Sequence, residues 1–124
     1  MAEMNMAKAI NLALHEAMER DKKVIVMGED VGPDEGVFRV TEGLHAKYGD
    51  KRVIDTPLAE SGIVGTAIGM AIYGMKPVAE IQFSSFEYYA YHQLEMHAGR
   101  FRNRTRGKLT VPMVLRCPSG GGIR

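Results

Sequence analysis

Met6, Ala7, Ile10, Ala13, Leu14, Ala17 and Met18 recur three and four residues apart, while Lys8, Asn11, His15, Glu16, Glu19 and Arg20 fill the other side. This spacing predicts an amphipathic helix ending near Asp21. Lys23-Val24-Ile25-Val26-Met27, stopped by Gly28, is short, apolar and β-branched, and reads as a buried strand. Gly32 to Gly36 is a loop by composition. Leu44 to Tyr48 reads as a short helix, and Arg52-Val53-Ile54 as a second strand ended by Pro57. Ala59 to Met75 is apolar but carries Gly62, Gly65, Gly69 and Gly74. Each glycine costs a helix about 1 kcal/mol against alanine. Such a helix makes sense when buried, with Gly65 and Gly69 on one face where another element comes close. Lys76 to Gln82 is expected as a third strand and Phe83 to Phe101 as a long, aromatic-rich helix. Arg102 to Lys108 then forms a basic loop, and Val111 to Arg116 a fourth strand. Short apolar strands alternating with helices imply an α/β fold with a parallel sheet covered on both faces.

Composition narrows the class. A chain of 124 residues, 45% hydrophobic and 25% charged, is enough for one soluble domain with a modest core. A net charge of +1 supplies no global field toward nucleic acid or an anionic membrane, so neither is expected as a partner. The lone Cys117 excludes an internal disulfide and a multi-cysteine metal cluster, which suits a reducing cytoplasm. Met1 to Lys8 lacks the basic start and apolar core of a signal peptide. The longest apolar run, Ile63 to Tyr73, falls short of the roughly 20 residues of a membrane span. After the fourth strand the chain stops at Cys117-Pro118-Ser119-Gly120-Gly121-Gly122-Ile123-Arg124, where the next element should begin. It is expected to be truncated within a domain.

Candidate chemistry follows from position. In open α/β sheets, ligands gather at the carboxyl ends of the strands. Glu29 lies just past the first strand, Glu60 just past the second, Gln82 at the end of the third, and Phe86 one helical turn further on. If these strands are neighbours, the four side chains converge on one edge. Each also has an ordinary reading. Glu60 is an acid in a first helical turn, favoured there by the dipole alone. Glu29 with Asp30 is a common strand-to-loop pair, Gln82 a solvated amide and Phe86 a core ring. His92 and His97, five apart, are poorly spaced for one helix face, and His92 with Glu95 reads as a surface pair rather than a metal site. Cys117 reads as a buried, inert thiol. The basic run Arg100, Arg102, Arg104, Arg106 and Lys108 reads as a solvated loop or subunit contact rather than a phosphate-binding surface.

Longer motifs change the weight of these residues. Gly28-Glu29-Asp30-Val31, Gly36-Val37-Phe38-Arg39-Val40-Thr41-Glu42-Gly43-Leu44, Arg52-Val53-Ile54-Asp55-Thr56-Pro57-Leu58-Ala59-Glu60, Gly62-Ile63-Val64-Gly65, Gln82-Phe83 and Arg116-Cys117-Pro118 stand in one order along the chain. This pattern resembles the front third of the beta subunit of thiamine-diphosphate-dependent 2-oxo-acid dehydrogenases, those acting on pyruvate or branched-chain 2-oxo acids. The resemblance implies that residues 1–124 form a transketolase-like pyrimidine-binding domain and that the family's C-terminal domain is absent. It implies that Glu60 hydrogen-bonds the pyrimidine nitrogen N1′ of thiamine diphosphate and activates the cofactor. By the same match, the main chain of Leu58 lies beside the aminopyrimidine, Gln82 is a polar pocket residue, Phe86 packs on the ring face, and Glu29 joins a network between active sites. The diphosphate and its Mg2+ are expected on an alpha subunit. The implied partners are that subunit and a second beta subunit, as α2β2, with a lipoyl-bearing acyltransferase.

His92-Gln93 departs from the Asp-Gln that members of this family often carry. The isolated chain is expected to be inactive. A transketolase-like or deoxyxylulose-phosphate-synthase-like protein, which shares this domain, is the alternative enzyme. A fragment that only binds a partner is the non-catalytic one.

Overall fold

A computed structural model describes residues 3–120. Helix α1 spans Met6–Arg20 and starts at Asn5, whose side chain accepts from the Lys8 N–H at 2.9 Å and so satisfies one free amide of the first turn. Strand β1, Val24–Gly28, is buried along its whole length. It lies in the middle of a parallel four-stranded sheet, order β2-β1-β3-β4, with β2 at Val53–Asp55, β3 at Lys76–Glu80 and β4 at Val114–Arg116. Helix α2 is Leu44–Tyr48, and helix α3 is Glu60–Ile72.

The two-residue period of the strands divides the core. Val24, Val26 and Val53 face α1 and pack with Leu14, Met18, Val40 and Leu44. Met27 and Ala79 face the other way, onto Ile63 and Ala67 of α3. Both sheet faces are therefore covered, as the strand–helix alternation requires. A third cluster, Val64, Ile68, Ile81 and Ala90, joins α3 to α4, Glu87–Gln93. Each fully buried aliphatic side chain of this size contributes about 1.5–3 kcal/mol.

Arg52 ties the first two units together. Its guanidinium donates to the carbonyls of Met18, Asp21 and Val24 at 2.8–3.1 Å and lies 4.9 Å from the centre of the Tyr48 ring. Carbonyls at the end of α1 have no partner within their helix, so a fixed cation there satisfies them and opposes the helix dipole.

Three expectations are corrected. The segment 83–101 is not one helix. A 3-10 turn, Ser84–Phe86, leads into α4, which widens into a π-helical turn, Leu94–Ala98, and breaks at Gly99. Gly99 N–H reaches back five residues to the Leu94 carbonyl at 2.8 Å. The basic loop opens with a helical turn, α5, Phe101–Arg104, and turns at Arg106 and Gly107, both with positive φ. The fourth strand covers only its last three predicted residues, because Pro112 has no N–H for a ladder.

The Gly-rich helix buries one face, through Ile63, Val64, Ala67, Ile68 and Ala71, while Gly62 and Gly69 are exposed, and close approach forces a glycine at neither Gly65 nor Gly69. A Cβ at Gly65 would make an ordinary contact with the Gln93 amide at 3.6 Å, and one at Gly69 would meet nothing within 4 Å. Among the described residues no helix is long and apolar enough to cross a membrane. The expected chain end at 121–124 lies outside the described residues.

Candidate active site

The register places Asp55, Gly28, Glu80 and Arg116 in one row across the carboxyl ends of the four strands. Gly28 is required by proximity: a Cβ there would stand 2.7 Å from the Glu80 carbonyl oxygen. Glu80 is 2% exposed and is paired with Arg116, which donates to it from the neighbouring strand. Burial pushes the Glu80 carboxyl above its ordinary range, and the Arg116 charge pulls it only part of the way back.

Just beyond this row the chain turns sharply. Glu29 is half-buried, and burial raises its pKa. The negative charges of Asp30, Glu60 and Asp55, in that order, raise it further, so these four carboxyl groups share one edge of the sheet. Glu60 sits half-buried in the first turn of α3, where the helix dipole favours an acid and no side chain caps the amides. Gln82 joins the group by donating from Nε2 to Asp30 Oδ2 at 2.7 Å. Asp30 itself holds a left-handed backbone, φ 58°.

The other two predicted residues lie at the surface. Phe86 is 38% exposed and meets Phe83 edge-on at 5.6 Å, and Phe83 meets Phe38 in the same way at 5.8 Å. Leu58 is 68% exposed. Asp30 thus links Glu29 to Gln82, and Glu60 joins the group through its charge on Glu29.

Two cavities lie nearby, and neither is lined by the five predicted residues. The larger, about 600 Å³, opens between Met6 and Ile10 of α1, the Phe38–Phe83 pair and Cys117. The smaller, about 320 Å³, runs beside β2 under Thr56, Pro57 and Ile63.

The remaining candidates resolve simply. Cys117 is half-buried; burial first, and the Glu87 charge next, push its thiol up, which disfavours the reactive thiolate. His92 and His97 do come together, with ring centres 5.5 Å apart, because the π-helical turn brings residues five apart onto one face. The five-residue separation therefore does not keep the two rings apart, contrary to expectation. Even so, Glu95 pairs with Arg100 at 2.6 Å instead, and no cluster of three or more metal-ligating side chains exists among the described residues.

Residues 2–124 match the family model described as transketolase, pyrimidine binding domain. The chain belongs to this family. Among similar curated proteins, the pyruvate dehydrogenase E1 component subunit beta of Acholeplasma laidlawii is 60% identical over 124 residues, all of this chain and 38% of that protein. The 3-methyl-2-oxobutanoate dehydrogenase subunit beta of Mycobacterium tuberculosis is 52% identical over 97% of this chain and 34% of its own length. The 2-oxoisovalerate dehydrogenase subunit beta of Bacillus subtilis is 50% identical over 99% of this chain and 38% of its own length. The chain therefore spans a little over a third of these relatives. The resemblance read from the motifs, to beta subunits of pyruvate and branched-chain 2-oxo-acid dehydrogenases, is borne out, as is the parallel α/β fold of a pyrimidine-binding family member.

Sequence reasoning passed over Asp30 and Asp55 as site residues. Both were visible at strand ends, but the signal that gives them weight is spatial: the β1–β2 register for Asp55 and the Gln82 bond for Asp30.

Proposed function

We propose that this chain is the pyrimidine-binding portion of the beta subunit of a 2-oxo-acid dehydrogenase, forming one domain over residues 1–124. The observation that carries this reading is Glu60, held in the first turn of α3 beside Glu29 at the carboxyl edge of the sheet, in a chain of the pyrimidine-binding family. The donor set suits the cofactor. An aminopyrimidine offers ring nitrogens that accept, an exocyclic amine that donates, and two aromatic faces. A carboxyl group, an amide oxygen and an aromatic ring are its complements, and Glu60, Gln82 and Phe86 supply them.

Thiamine diphosphate, when bound, supplies a carbon nucleophile and an electron sink for decarboxylation of a 2-oxo acid. The residues of this chain act on its pyrimidine end. Glu60 would hydrogen-bond N1′ and share a proton there, from the first turn of α3 at the carboxyl edge of the sheet. Phe86 would pack on the ring face, and the Leu58 main chain would border it. Glu29, whose carboxyl is raised by burial and its neighbours, holds a proton more readily than an ordinary glutamate and so suits a proton-sharing link between sites.

The diphosphate and its Mg2+ belong to an alpha subunit in this reading. The assembly is α2β2, and a lipoyl-bearing acyltransferase takes the acyl group. The setting is cytoplasmic, and the isolated chain is inactive. The relatives described above are all dehydrogenase beta subunits, so no observation favours the transketolase-like alternative.

The test is co-expression with an alpha-type subunit, followed by cofactor-dependent CO2 release from a panel of 2-oxo acids. Glu60→Gln should lower turnover about 10²–10⁴-fold. Unchanged turnover removes Glu60 from this role, and turnover by the lone chain overturns the composite site.

A further inference from the structure

Asp30 carries two unusual features at once. Its backbone is left-handed, at φ 58°, a conformation that costs a non-glycine residue about 1–2 kcal/mol. Its carbonyl accepts from Gly36 N–H at 2.7 Å, closing the loop that follows β1. The conformation is thus fixed by the loop, and it turns the Asp30 carboxylate toward the end of β3, where Oδ2 accepts from Gln82 Nε2 at 2.7 Å.

This bond determines which end of the Gln82 amide is free. A carboxylate only accepts, so the NH2 group must face Asp30. The amide oxygen is left pointing elsewhere, and it accepts from no side-chain donor among the described residues. Without Asp30 the amide is free to rotate by half a turn and present a donor in place of an acceptor.

We propose that Asp30 is a positioning residue that fixes the Gln82 amide with its oxygen outward, so that the site accepts a hydrogen bond from the exocyclic amine of an aminopyrimidine and discriminates against a ring bearing an oxo group there. The inference rests on the pyrimidine-binding reading and deepens it. An oxo group would oppose the amide oxygen with another acceptor, leaving both without a donor.

The experiment uses the chain in its assembly with the alpha-type subunit and measures dissociation constants for thiamine diphosphate and its 4′-oxo analogue. The wild-type assembly should prefer the amino form by about tenfold or more. Asp30→Asn offers both a donor and an acceptor, so Gln82 can take either orientation and the preference should fall by about tenfold. Asp30→Gly removes the partner and should give the same loss. Both replacements tolerate the left-handed backbone better than aspartate, so folding, followed by circular dichroism and urea midpoint, should hold. A wild-type assembly that binds both rings equally, or variants that keep the full preference, overturns this inference alone. A wild-type assembly that binds neither ring overturns the pyrimidine-binding reading and the inference with it.

Discussion

Arg116 on β4 donates to Glu80 on β3, its partner in register, and Glu80 is almost completely buried. The pair closes the carboxyl edge of the sheet beneath the candidate site. Removing one member strands the other. Arg116→Met should cost about 3–5 kcal/mol, because Glu80 then remains buried without a cation. Glu80→Met combined with Arg116→Met should recover much of that loss, since two apolar groups need no partner. A double-mutant cycle by urea denaturation measures this. A double-variant loss equal to the sum of the Glu80→Met and Arg116→Met losses would show that the pair is not coupled.

Arg52 gives the second prediction. Arg52→Met leaves the carbonyls of Met18, Asp21 and Val24 without their shared donor and should cost about 2–3 kcal/mol. Arg52→Lys should restore less than half of this, because one ammonium cannot reproduce the planar fork or its stacking on Tyr48. Denaturation midpoints of the two variants check the order; a lysine variant equal to wild type would reduce Arg52 to a point charge.

Gly28 gives the third. A methyl group there would meet the Glu80 carbonyl at 2.7 Å, so β1 and β3 must separate or the register must shift. Gly28→Ala should cost about 2–3 kcal/mol. Gly69→Ala, where a Cβ meets nothing, should instead be neutral or stabilising by up to about 1 kcal/mol. Thermal melts of the two variants should move in opposite directions.

The contrast between these glycines shows what the sequence could carry. Periodicity placed α1, α2, α3 and the four strands, because each has one apolar stripe or a β-branched run that only burial explains. It also placed Glu29, Glu60 and Gln82 at strand ends, and the β2-β1-β3 order brought them to one edge. Local pattern could not separate Gly28, where a Cβ would collide with the Glu80 carbonyl, from Gly69, where it would meet nothing. Nor could it foresee the π-helical turn that pairs His92 with His97, since a widened turn has no distinctive composition. Asp30 was legible as a residue type but not as a partner. Its bond to Gln82 spans 52 residues and depends on loop closure through Gly36.

Glu29 gives the last prediction, through pH. Burial, then the charges of Asp30, Glu60 and Asp55, hold its folded pKa above the ordinary 4.5. Between those two values the folded chain binds more protons than the unfolded one, so the Glu29 contribution to stability falls as pH rises through this window. Glu29→Gln has no such proton to lose. Its stability relative to wild type should therefore increase with pH from the ordinary carboxylate range upward and level off above the Glu29 pKa. Asp30→Asn removes one of the charges that raise Glu29, so the fall should be smaller in that background. Urea midpoints measured from pH 4 to pH 8 test both expectations. Parallel curves for wild type and Glu29→Gln would mean that Glu29 is no more easily protonated than an exposed glutamate, and its proposed proton-sharing role would lose its physical basis.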